Sequence, residues 1–347
     1  MHEFITGIQQ AGIGVSDCNK AKYLYKDLFG MNILIFDDTA SAELMKQYTG
    51  NEVHNRRAIL TMNLSGGGGF ELWQFINRNP KPYYAQFGDL GIFAIKMKCS
   101  DVNKAHKHFK DQPNVFTSEL HPSPPGGYYF WVRDTDGNFF AVAESNSWFK
   151  KDKCLNGGVY GAVIGVSDMD ASINFYKNFL GIEEVLYDAT SVFADVPGNT
   201  GEKFRRVILR KKKGTSGAFS NLLGDVEIEL VQCMNKKTKK IFENRYWGDS
   251  GFIHLCFDVT NMDGLKIFSE KLGYKFTIDS NNSYAMETAE GRFCYVEDPD
   301  GTLIELVETH KIPIIKKLNW HIDLRKRKQQ KPLPNWMINM LGLNKVK

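Results

Sequence analysis

Acidic side chains recur at one kind of place in this chain, the middle of a short apolar triplet that ends in leucine. The triplets are Phe70-Glu71-Leu72, Ile228-Glu229-Leu230 and Ile304-Glu305-Leu306. In a β-strand such a glutamate points away from its apolar neighbours, and carboxylates that share a face can bind a divalent cation or move a proton. His254 has a similar setting, between Ile253 and Leu255. A lone histidine on an apolar strand is more often a core residue than a ligand, so the chemistry depends on which of these groups the fold brings together.

A repeat of about 150 residues organises the chain. Ile13-Gly14-Val15-Ser16-Asp17 returns letter for letter as Ile164-Gly165-Val166-Ser167-Asp168, and each copy leads into a Tyr-Lys pair and then a glycine. A second repeated motif lies later in each half, where residues 132–137 match residues 296–301. This period is too long for a solenoid repeat and suits a duplicated domain. We therefore predict two related domains, residues 1–150 and 151–310, and a C-terminal segment, residues 311–347.

Each half divides again into two units with the same order of elements. In the first unit a strand over residues 10–15 precedes a helix that is capped by Ser16-Asp17 and ended by Gly30. Three more strands follow, and the pattern restarts near residues 91, 158 and 252. The predicted fold class is therefore α+β, with four strand–helix–strand–strand–strand units in two pseudo-symmetric halves.

These units resemble the vicinal oxygen chelate superfamily, which includes glyoxalase I, methylmalonyl-CoA epimerase, extradiol dioxygenases and the bleomycin and fosfomycin resistance proteins. The resemblance rests on the Val-Ser-Asp opening with its Tyr and Leu-Gly, on the closing Asp298-Pro299-Asp300-Gly301 with Ile304-Glu305-Leu306, and on the four ordered units over residues 6–309. It implies that paired units form a curled sheet around one divalent metal ion. It also implies that the ligands come from the first and last strand of each unit.

The superfamily's ligand positions, transferred unit by unit, fall on Gln10 and Glu71 in the first unit and on His254 and Glu305 in the fourth. The resemblance to four-unit glyoxalases implies that these two units share one site. The second and third units would share the other site, whose positions are Ala94, Ala141, Gly161 and Glu229. We therefore predict one metal centre and one vestigial site. If the third and fourth units paired instead, the ligands would be Glu229, His254 and Glu305.

Three oxygen donors and one imidazole suit Zn²⁺, Ni²⁺, Co²⁺, Mn²⁺ or Fe²⁺ and leave positions open for a substrate. The same ligand types in the same order are those of animal-type glyoxalase I. The resemblance therefore implies a metal-dependent lyase or isomerase, in which the ion polarises a carbonyl or vicinal oxygens of a small substrate and Glu71 or Glu305 carries the proton. Two alternatives stay open. One is a non-catalytic binding protein of the bleomycin-resistance kind, and the other is an extradiol-type dioxygenase, which needs two histidines and one carboxylate.

Three positions depart from the residues with which glyoxalase I binds glutathione. The resemblance implies arginine, asparagine and arginine there, and this chain has Gly14, Phe75 and Ser250. A buried carboxylate of glutathione would lack partners at these positions. We therefore expect activity that does not depend on glutathione, with Gly14, Trp73, Phe75 and Ser250 near the substrate pocket.

The net charge of +4 arises at the end of the chain. Ten of the 44 Lys and Arg residues, but one of the 40 acids, lie from Lys311 onward. Apolar residues interleaved with this basic segment favour a strap packed on an acidic body over a nucleic-acid-binding tail. Six scattered cysteines without CxxC spacing indicate reduced thiols. Because the chain has no membrane-spanning or signal-peptide pattern, we expect a cytoplasmic protein that does not bind a membrane. We also expect a monomer or homodimer that binds a small molecule and no nucleic acid.

Overall fold

The computed structural model describes residues 4–151, 154–198, 201–281, 284–286, 289–315, 318, 320–327 and 331–346. Its elements follow the predicted order of units. The first unit contains β1 (Ile5–Gly14), α1 (Cys18–Phe29), β2 (Ile33–Ser41), β3 (Asn55–Met62) and β4 (Gly69–Phe75). The second contains β5 (Gly91–Cys99), α2 (Val102–Lys110), β6 (Phe116–Thr117), β7 (His121–Pro122), β8 (Tyr128–Arg133) and β9 (Phe139–Glu144).

The second half repeats this order. The third unit contains β10 (Asn156–Gly165), α3 (Met169–Asn178), β11 (Glu184–Ser191), β12 (Phe204–Lys211), α4 (Ser220–Leu223) and β13 (Val226–Cys233). The fourth contains β14 (Gly251–Val259), α5 (Met262–Lys271), β15 (Ile278–Asp279), β16 (Tyr284–Met286), β17 (Ala289–Glu297) and β18 (Leu303–Ile315). The predicted α+β fold of four units in two pseudo-symmetric halves is confirmed, although the second strand of the second and fourth units is broken into two short pieces.

Local chemistry sets the ends of the elements. α1 begins at Cys18 because the Asp17 side chain accepts hydrogen bonds from the main-chain N–H groups of Asn19 and Lys20. The same helix ends where Gly30 adopts a left-handed φ of 66°. β1 starts at Ile5, earlier than predicted, because its N-terminal part pairs with β14.

Two sheets are formed, and each takes strands from both halves of the chain. The first sheet has ten strands and joins the first and fourth units through antiparallel pairing of β1 with β14. The second sheet has nine strands and joins the second and third units through β5 and β10. Within a unit the first strand runs parallel to the last, as β1 does to β4 and β14 does to β18. The division at residues 150 and 310 thus describes the sequence repeat, whereas the sheets are assembled across it.

The two faces of each sheet have different roles. Phe70 and Leu72 of β4 belong to a large apolar core that includes residues of α1, α2, α3 and α5. Trp73, on the alternate face of the same strand, belongs to a separate cluster. We call this alternate face, which does not pack on the helices, the inner face of the sheet. Because side chains alternate along a strand, Glu71 shares the inner face with Trp73.

The two repeated sequence motifs contact each other in the structure. The hydroxyl of Tyr25 in α1 donates a hydrogen bond to Oδ2 of Asp134 at 2.6 Å, in the hairpin turn of the second unit. The hydroxyl of Tyr176 in α3 donates to Oδ2 of Asp298 at 3.1 Å, in the turn of the fourth unit. Burial raises the pKa of Asp298 to about 6. Each repeated tyrosine therefore fastens the helix of one unit to the turn of the next.

The C-terminal segment packs on the first sheet at the end where α4 lies. β19 (Trp320–Asp323) pairs antiparallel with the end of β18, and α6 (Asn335–Met340) follows. Leu333 and Ile338 are buried in a cluster with residues of α4 and β18. Leu318 and Trp336 are instead 72% and 56% exposed. The apolar residues of the predicted strap are therefore divided between packed and exposed positions.

Two further expectations concern thiols and membranes. All six cysteines lie in the described residues and are free, and four of them are buried. No helix in the described part of the chain is long and apolar enough to cross a membrane.

Replacing Leu333 by alanine is expected to lower the free energy of unfolding by about 2–5 kcal/mol, the range for truncating a fully buried leucine. Leu333 is fully buried in the cluster that joins the C-terminal segment to α4. Leu318→Ala removes the same atoms from an exposed residue and should change this free energy by less than about 0.5 kcal/mol. Urea unfolding followed by circular dichroism measures both variants. Equal effects would contradict the packing described for the C-terminal segment.

Candidate metal centre

The first sheet brings four polar side chains together on its inner face, and they are Gln10 of β1, Glu71 of β4, His254 of β14 and Glu305 of β18. The strand register explains their proximity. Gly12 of β1 pairs with Glu71 on one side and with His254 on the other, and Glu305 pairs with Cys256. Neighbouring strands lie about 4.8 Å apart, so side chains that share a face at these positions can touch. All four are buried, and His254 has no exposed surface.

The ligand-capable atoms converge on one point. Nε2 of His254 lies 3.2 Å from Oε2 of Glu71 and 3.1 Å from Oε2 of Glu305. Nε2 of Gln10 donates hydrogen bonds to the same two oxygens, at 3.2 Å and 3.4 Å. The ligand atoms of the histidine and the two glutamates all lie within 4.8 Å of one another. Among the described residues this is the one group of three or more His, Cys, Asp or Glu side chains spaced to hold a metal ion.

Two carboxylates that face one imidazole determine the charge of this cluster. Burial alone would lower the pKa of His254, but the carboxylates of Glu305 and Glu71 outweigh burial and raise that pKa to about 10. Burial would likewise raise the pKa of Glu305, and the facing His254 lowers it. A divalent ion that binds these atoms must therefore displace the proton on His254, and such binding becomes stronger as the pH rises.

The donor set fits a divalent ion. Oε1 of Gln10 is buried and has no hydrogen-bond partner, whereas Nε2 of the same amide faces both carboxylates. A half-turn of the amide exchanges these two atoms. The oxygen would then face two negative carboxylates, an arrangement that a cation between them favours. With that oxygen, the set becomes two carboxylates, one amide and one imidazole, as predicted for Zn²⁺, Ni²⁺, Co²⁺, Mn²⁺ or Fe²⁺.

Three residues that the sequence analysis did not single out position His254. The hydroxyl of Tyr295 lies 3.2 Å from Nδ1, which leaves Nε2 to face the carboxylates. The ring of Trp247 stacks on the imidazole, with a centroid distance of 6.1 Å and an interplanar angle of 17°. A Cβ atom at Gly12 would come within 2.4 Å of the imidazole, so glycine leaves the room that the ring needs. The signal for Gly12 was its spacing, because it follows Gln10 by two residues and shares its face.

A cavity of about 230 Å³ opens beside the two glutamates. Aromatic side chains of Trp73, Trp247 and Tyr295 line it, together with the guanidinium-bearing Arg56. Glu43 also lines it and is exposed, which marks the side that faces solvent. The volume is below the roughly 300 Å³ at which pockets for drug-sized ligands begin. The cavity therefore suits a small substrate.

Of the four residues expected near a substrate pocket, Trp73 lines this cavity, and Gly14, Phe75 and Ser250 do not. The carbonyl oxygen of Asp249 would lie 2.0 Å from a Cβ atom at position 14, so the main chain excludes a side chain there. Phe75 is buried. The carbonyl oxygen of Ser250 accepts a hydrogen bond from an arginine. None of these three residues contributes a charged side chain to this cavity.

The model of the Glyoxalase/Bleomycin resistance protein/Dioxygenase superfamily matches residues 7–142 and 160–306. The chain belongs to this superfamily. The two matched stretches correspond to the two halves of the sequence repeat, so the family predicted from the sequence is confirmed for both.

Solved structures of the superfamily share the arrangement of both halves. Glyoxalase I from Zea mays is 17% identical, with a TM-score of 0.53 over 87% of this chain and 92% of that chain. A proposed dioxygenase from Bacillus subtilis is 12% identical, with a TM-score of 0.57 over 88% of this chain and 86% of that chain. At these identities the similarity shows a common fold. A comparison with curated protein sequences gave no match.

Ion pairs fill the inner face of the second sheet where the sequence predicts a vestigial site. Its positions on the inner face of the second sheet are Ala94, Ala141, Gly161 and Glu229. Oε1 of Glu229 accepts from the guanidinium of Arg206 at 2.7 Å, and Oε2 accepts from Nζ of Lys96 at 3.0 Å. Burial would raise the pKa of Glu229, but these two cations lower it to about 2. Glu229 is therefore neutralised by side chains of its own sheet.

Neither cation occupies a ligand position, and for this reason the sequence analysis missed both. Lys96 pairs with Ala141 in the second sheet, as Cys256 pairs with Glu305 in the first sheet. Lys96 therefore occupies the position that corresponds to Cys256. Arg206 also lies outside the ligand positions. It belongs to β12, the neighbour of the strand that carries Glu229. The available signal was a lysine within the otherwise apolar run of β5.

Lys96→Met is expected to lower the free energy of unfolding by about 3 kcal/mol, the lower end for breaking a buried ion pair, because Arg206 still faces Glu229. Lys110→Met is the matched control, since Lys110 pairs with Glu119 at 2.8 Å on the surface, where its side chain is 42% exposed. The control should cost less than about 1 kcal/mol. Denaturant unfolding of both variants at neutral pH measures the difference. If the two losses are the same, the buried pair does not support the second sheet.

Proposed function

We propose that this protein is a metal-dependent enzyme that catalyses proton transfer on a small oxygenated substrate, as a glyoxalase-like lyase or isomerase. The observation that carries the proposal is the convergence of His254 Nε2 with the Oε2 atoms of Glu71 and Glu305 beside a small aromatic cavity. Membership of the superfamily supports it, because glyoxalase I belongs to the same fold. A divalent ion held by these residues and Gln10 would supply Lewis-acid polarisation of a carbonyl or of vicinal oxygens.

The two glutamates are given different roles in this proposal. Glu305 accepts a hydrogen bond from Gln10 and faces His254, which lowers the pKa of this carboxyl. Hydrogen bonds to a carboxylate stabilise its charged form and weaken it as a base. Glu71 contacts the same two side chains and, like Glu305, lines the cavity. We assign Glu71 as the group that takes a proton from the substrate carbon and returns it, and Glu305, whose charged form His254 stabilises, as a ligand.

The alternatives differ from this proposal in their ligand requirements. An extradiol-type dioxygenase uses two histidines and one carboxylate around iron. The inner face of the first sheet, as far as it is described, contributes one imidazole to the cluster. A non-catalytic binding protein has no need of four ligand-capable side chains at one point. The retained cluster therefore favours catalysis, and the experiments below separate the three functions.

The purified protein is expected to bind about one equivalent of a divalent ion per chain, and His254→Ala should lose it. Elemental analysis after loading with Zn²⁺ measures the content. Zn²⁺ uptake by the metal-stripped protein between pH 7 and 8 should also release about one proton, because the carboxylates raise the pKa of His254 to about 10. This release should be absent from His254→Ala.

His310→Ala is the control for the metal measurement. His310 lies on the same strand as Glu305, but its Nε2 is 3.5 Å from Glu308, outside the cluster. This variant should keep the ion. A metal content that falls in Glu229→Gln and not in His254→Ala would place the ion in the second sheet and refute the proposal.

Incubation of the Zn²⁺-loaded protein in deuterium oxide with α-hydroxycarbonyl, sugar or acyl-CoA compounds should place deuterium on the carbon beside the carbonyl of the substrate. Glu71→Gln is expected to slow this exchange by a factor of about 10²–10⁴, the usual contribution of a general base. Glu184→Gln, which changes an exposed glutamate, is the control. Mass spectrometry measures exchange, and metal content is checked on the same samples. A protein that binds the ion and exchanges none of these compounds would favour the binding-protein alternative.

The same assay tests the role of glutathione. We expect exchange that does not require glutathione, because Gly14, Phe75 and Ser250 provide no charged side chain for its carboxylates. Methylglyoxal is supplied with and without glutathione for this comparison. Formation of lactoylglutathione with kcat/KM on the order of 10⁶ M⁻¹s⁻¹, a value typical of efficient enzymes, would instead identify a glutathione-dependent glyoxalase I.

A further inference from the structure

Arg56 of β3 is a buried cation beside the candidate metal centre. Its side chain lines the cavity together with Glu71 and Glu305, and 6% of the residue is exposed. In the described part of the chain it is the one basic residue that lines this cavity. The remaining charged residues around the cavity, Glu43, Glu71 and Glu305, are all acidic. Apart from an ion in the metal centre, Arg56 is therefore the source of positive charge at this cavity among the residues that line it.

The guanidinium of Arg56 is held in place but keeps an unused donor. Its Nη1 atom donates to the carboxylate of Asp38 at 2.7 Å and to the main-chain oxygen of the same residue at 3.0 Å. Its Cζ atom lies 5.2 Å from the ring centroid of Trp73, a cation–π contact that fixes the plane of the group. Its Nε atom is buried and has no hydrogen-bond partner. A buried N–H group without an acceptor is unfavourable, and a bound anion would remove that cost.

Arg57, the next residue of β3, pairs with a carboxylate through two of its nitrogen atoms. It belongs to the opposite face of β3, and it donates to Asp37 through both Nε and Nη2, each at 2.7 Å. This fork-to-fork pairing uses the edge that Arg56 leaves free. The two residues have the same chemistry and adjacent positions, and Arg56 alone faces the cavity.

We propose that Arg56 binds a carboxylate of the substrate, so that the substrate class is a small carboxylic acid that carries a carbonyl or hydroxyl group for the metal centre. This inference rests on the proposed function and specifies its substrate. Arg56 uses a guanidinium, whose geometry matches a carboxylate. Trp73, on which the guanidinium stacks, follows Glu71 by two residues on the same face, so the carboxylate site and the ligand cluster are neighbours. The cavity of about 230 Å³ suits a small acid.

Two chelating probes test the proposal on the Co²⁺-loaded protein. Acetohydroxamate binds a metal through two oxygens, and malonohydroxamate adds a carboxylate to the same chelating group. Dissociation constants come from the change in the visible spectrum of the bound cobalt. The wild-type protein should bind malonohydroxamate about 10- to 100-fold more tightly than acetohydroxamate, as expected for a charge-assisted hydrogen bond. Arg56→Gln should reduce this preference to about twofold or less while acetohydroxamate binding stays within a factor of about three.

Two further variants separate binding from structural support. Arg57→Gln is the matched control and should keep the preference for malonohydroxamate. Asp38→Asn breaks the same ion pair as Arg56→Gln but leaves the guanidinium in place. If Arg56 only supports the fold through Asp38, the two variants should behave alike. If Arg56 binds the substrate carboxylate, Asp38→Asn should keep or increase the preference, since the guanidinium loses its competing partner. This comparison holds even if Arg56→Gln proves too unstable to purify.

The outcomes distinguish this inference from the proposed function. Cobalt-dependent binding of both probes with no preference in the wild-type protein would overturn the role of Arg56 and leave the metal centre intact. An unchanged preference in Arg56→Gln would overturn it as well. Failure of the wild-type protein to bind cobalt, or to bind either probe when cobalt is present, would overturn both the metal-dependent function and the carboxylate site.

Discussion

A carboxylate buried on the inner face of either sheet must be matched by positive charge, because an unpaired ion inside a protein costs several kcal/mol. In the first sheet Glu71 and Glu305 face a single imidazole, and their oxygens are spaced to hold a divalent cation. In the second sheet Glu229 faces Lys96 and Arg206. The duplicated sheets therefore satisfy one electrostatic requirement in two ways. One way leaves carboxylates spaced to hold a cation, and the other is a permanent part of the fold.

The same requirement accounts for the packing around the cluster. His254 sits between the open space at Gly12 and the ring of Trp247, and Tyr295 engages its second nitrogen. These neighbours belong to strands of the first sheet or pack directly on its inner face, so the ligand atoms are held by rigid elements. A fixed imidazole and fixed carboxylates are what a metal site needs before an ion arrives, because little ordering remains to oppose binding.

The ligand-capable cluster and the buried Arg56 lie on different strands of the first sheet. The ligand set lies on β1, β4, β14 and β18, whereas Arg56 lies on β3. Function resides in the site rather than in the fold, so membership of the superfamily does not by itself fix the substrate. The main chain of Asp249 closes the space at Gly14, and a buried guanidinium lines a small cavity on another strand. Divergence of this kind would change which substrate is bound without changing the ligand-capable cluster.

The sequence by itself determined the repeat, the order of elements and the ends of helices such as α1, because Asp17 and Gly30 act through local hydrogen bonds and backbone conformation. With the superfamily resemblance it also indicated four positions that the structure brings together. Only the tertiary structure decided that Gly12 lies opposite His254, that Lys96 and Arg206 surround Glu229, and that Arg56 rather than Arg57 faces the cavity. These outcomes depend on the register between strands that are far apart in the chain. A shift of one residue would turn every side chain of a strand to the other face, and local sequence patterns do not encode that register.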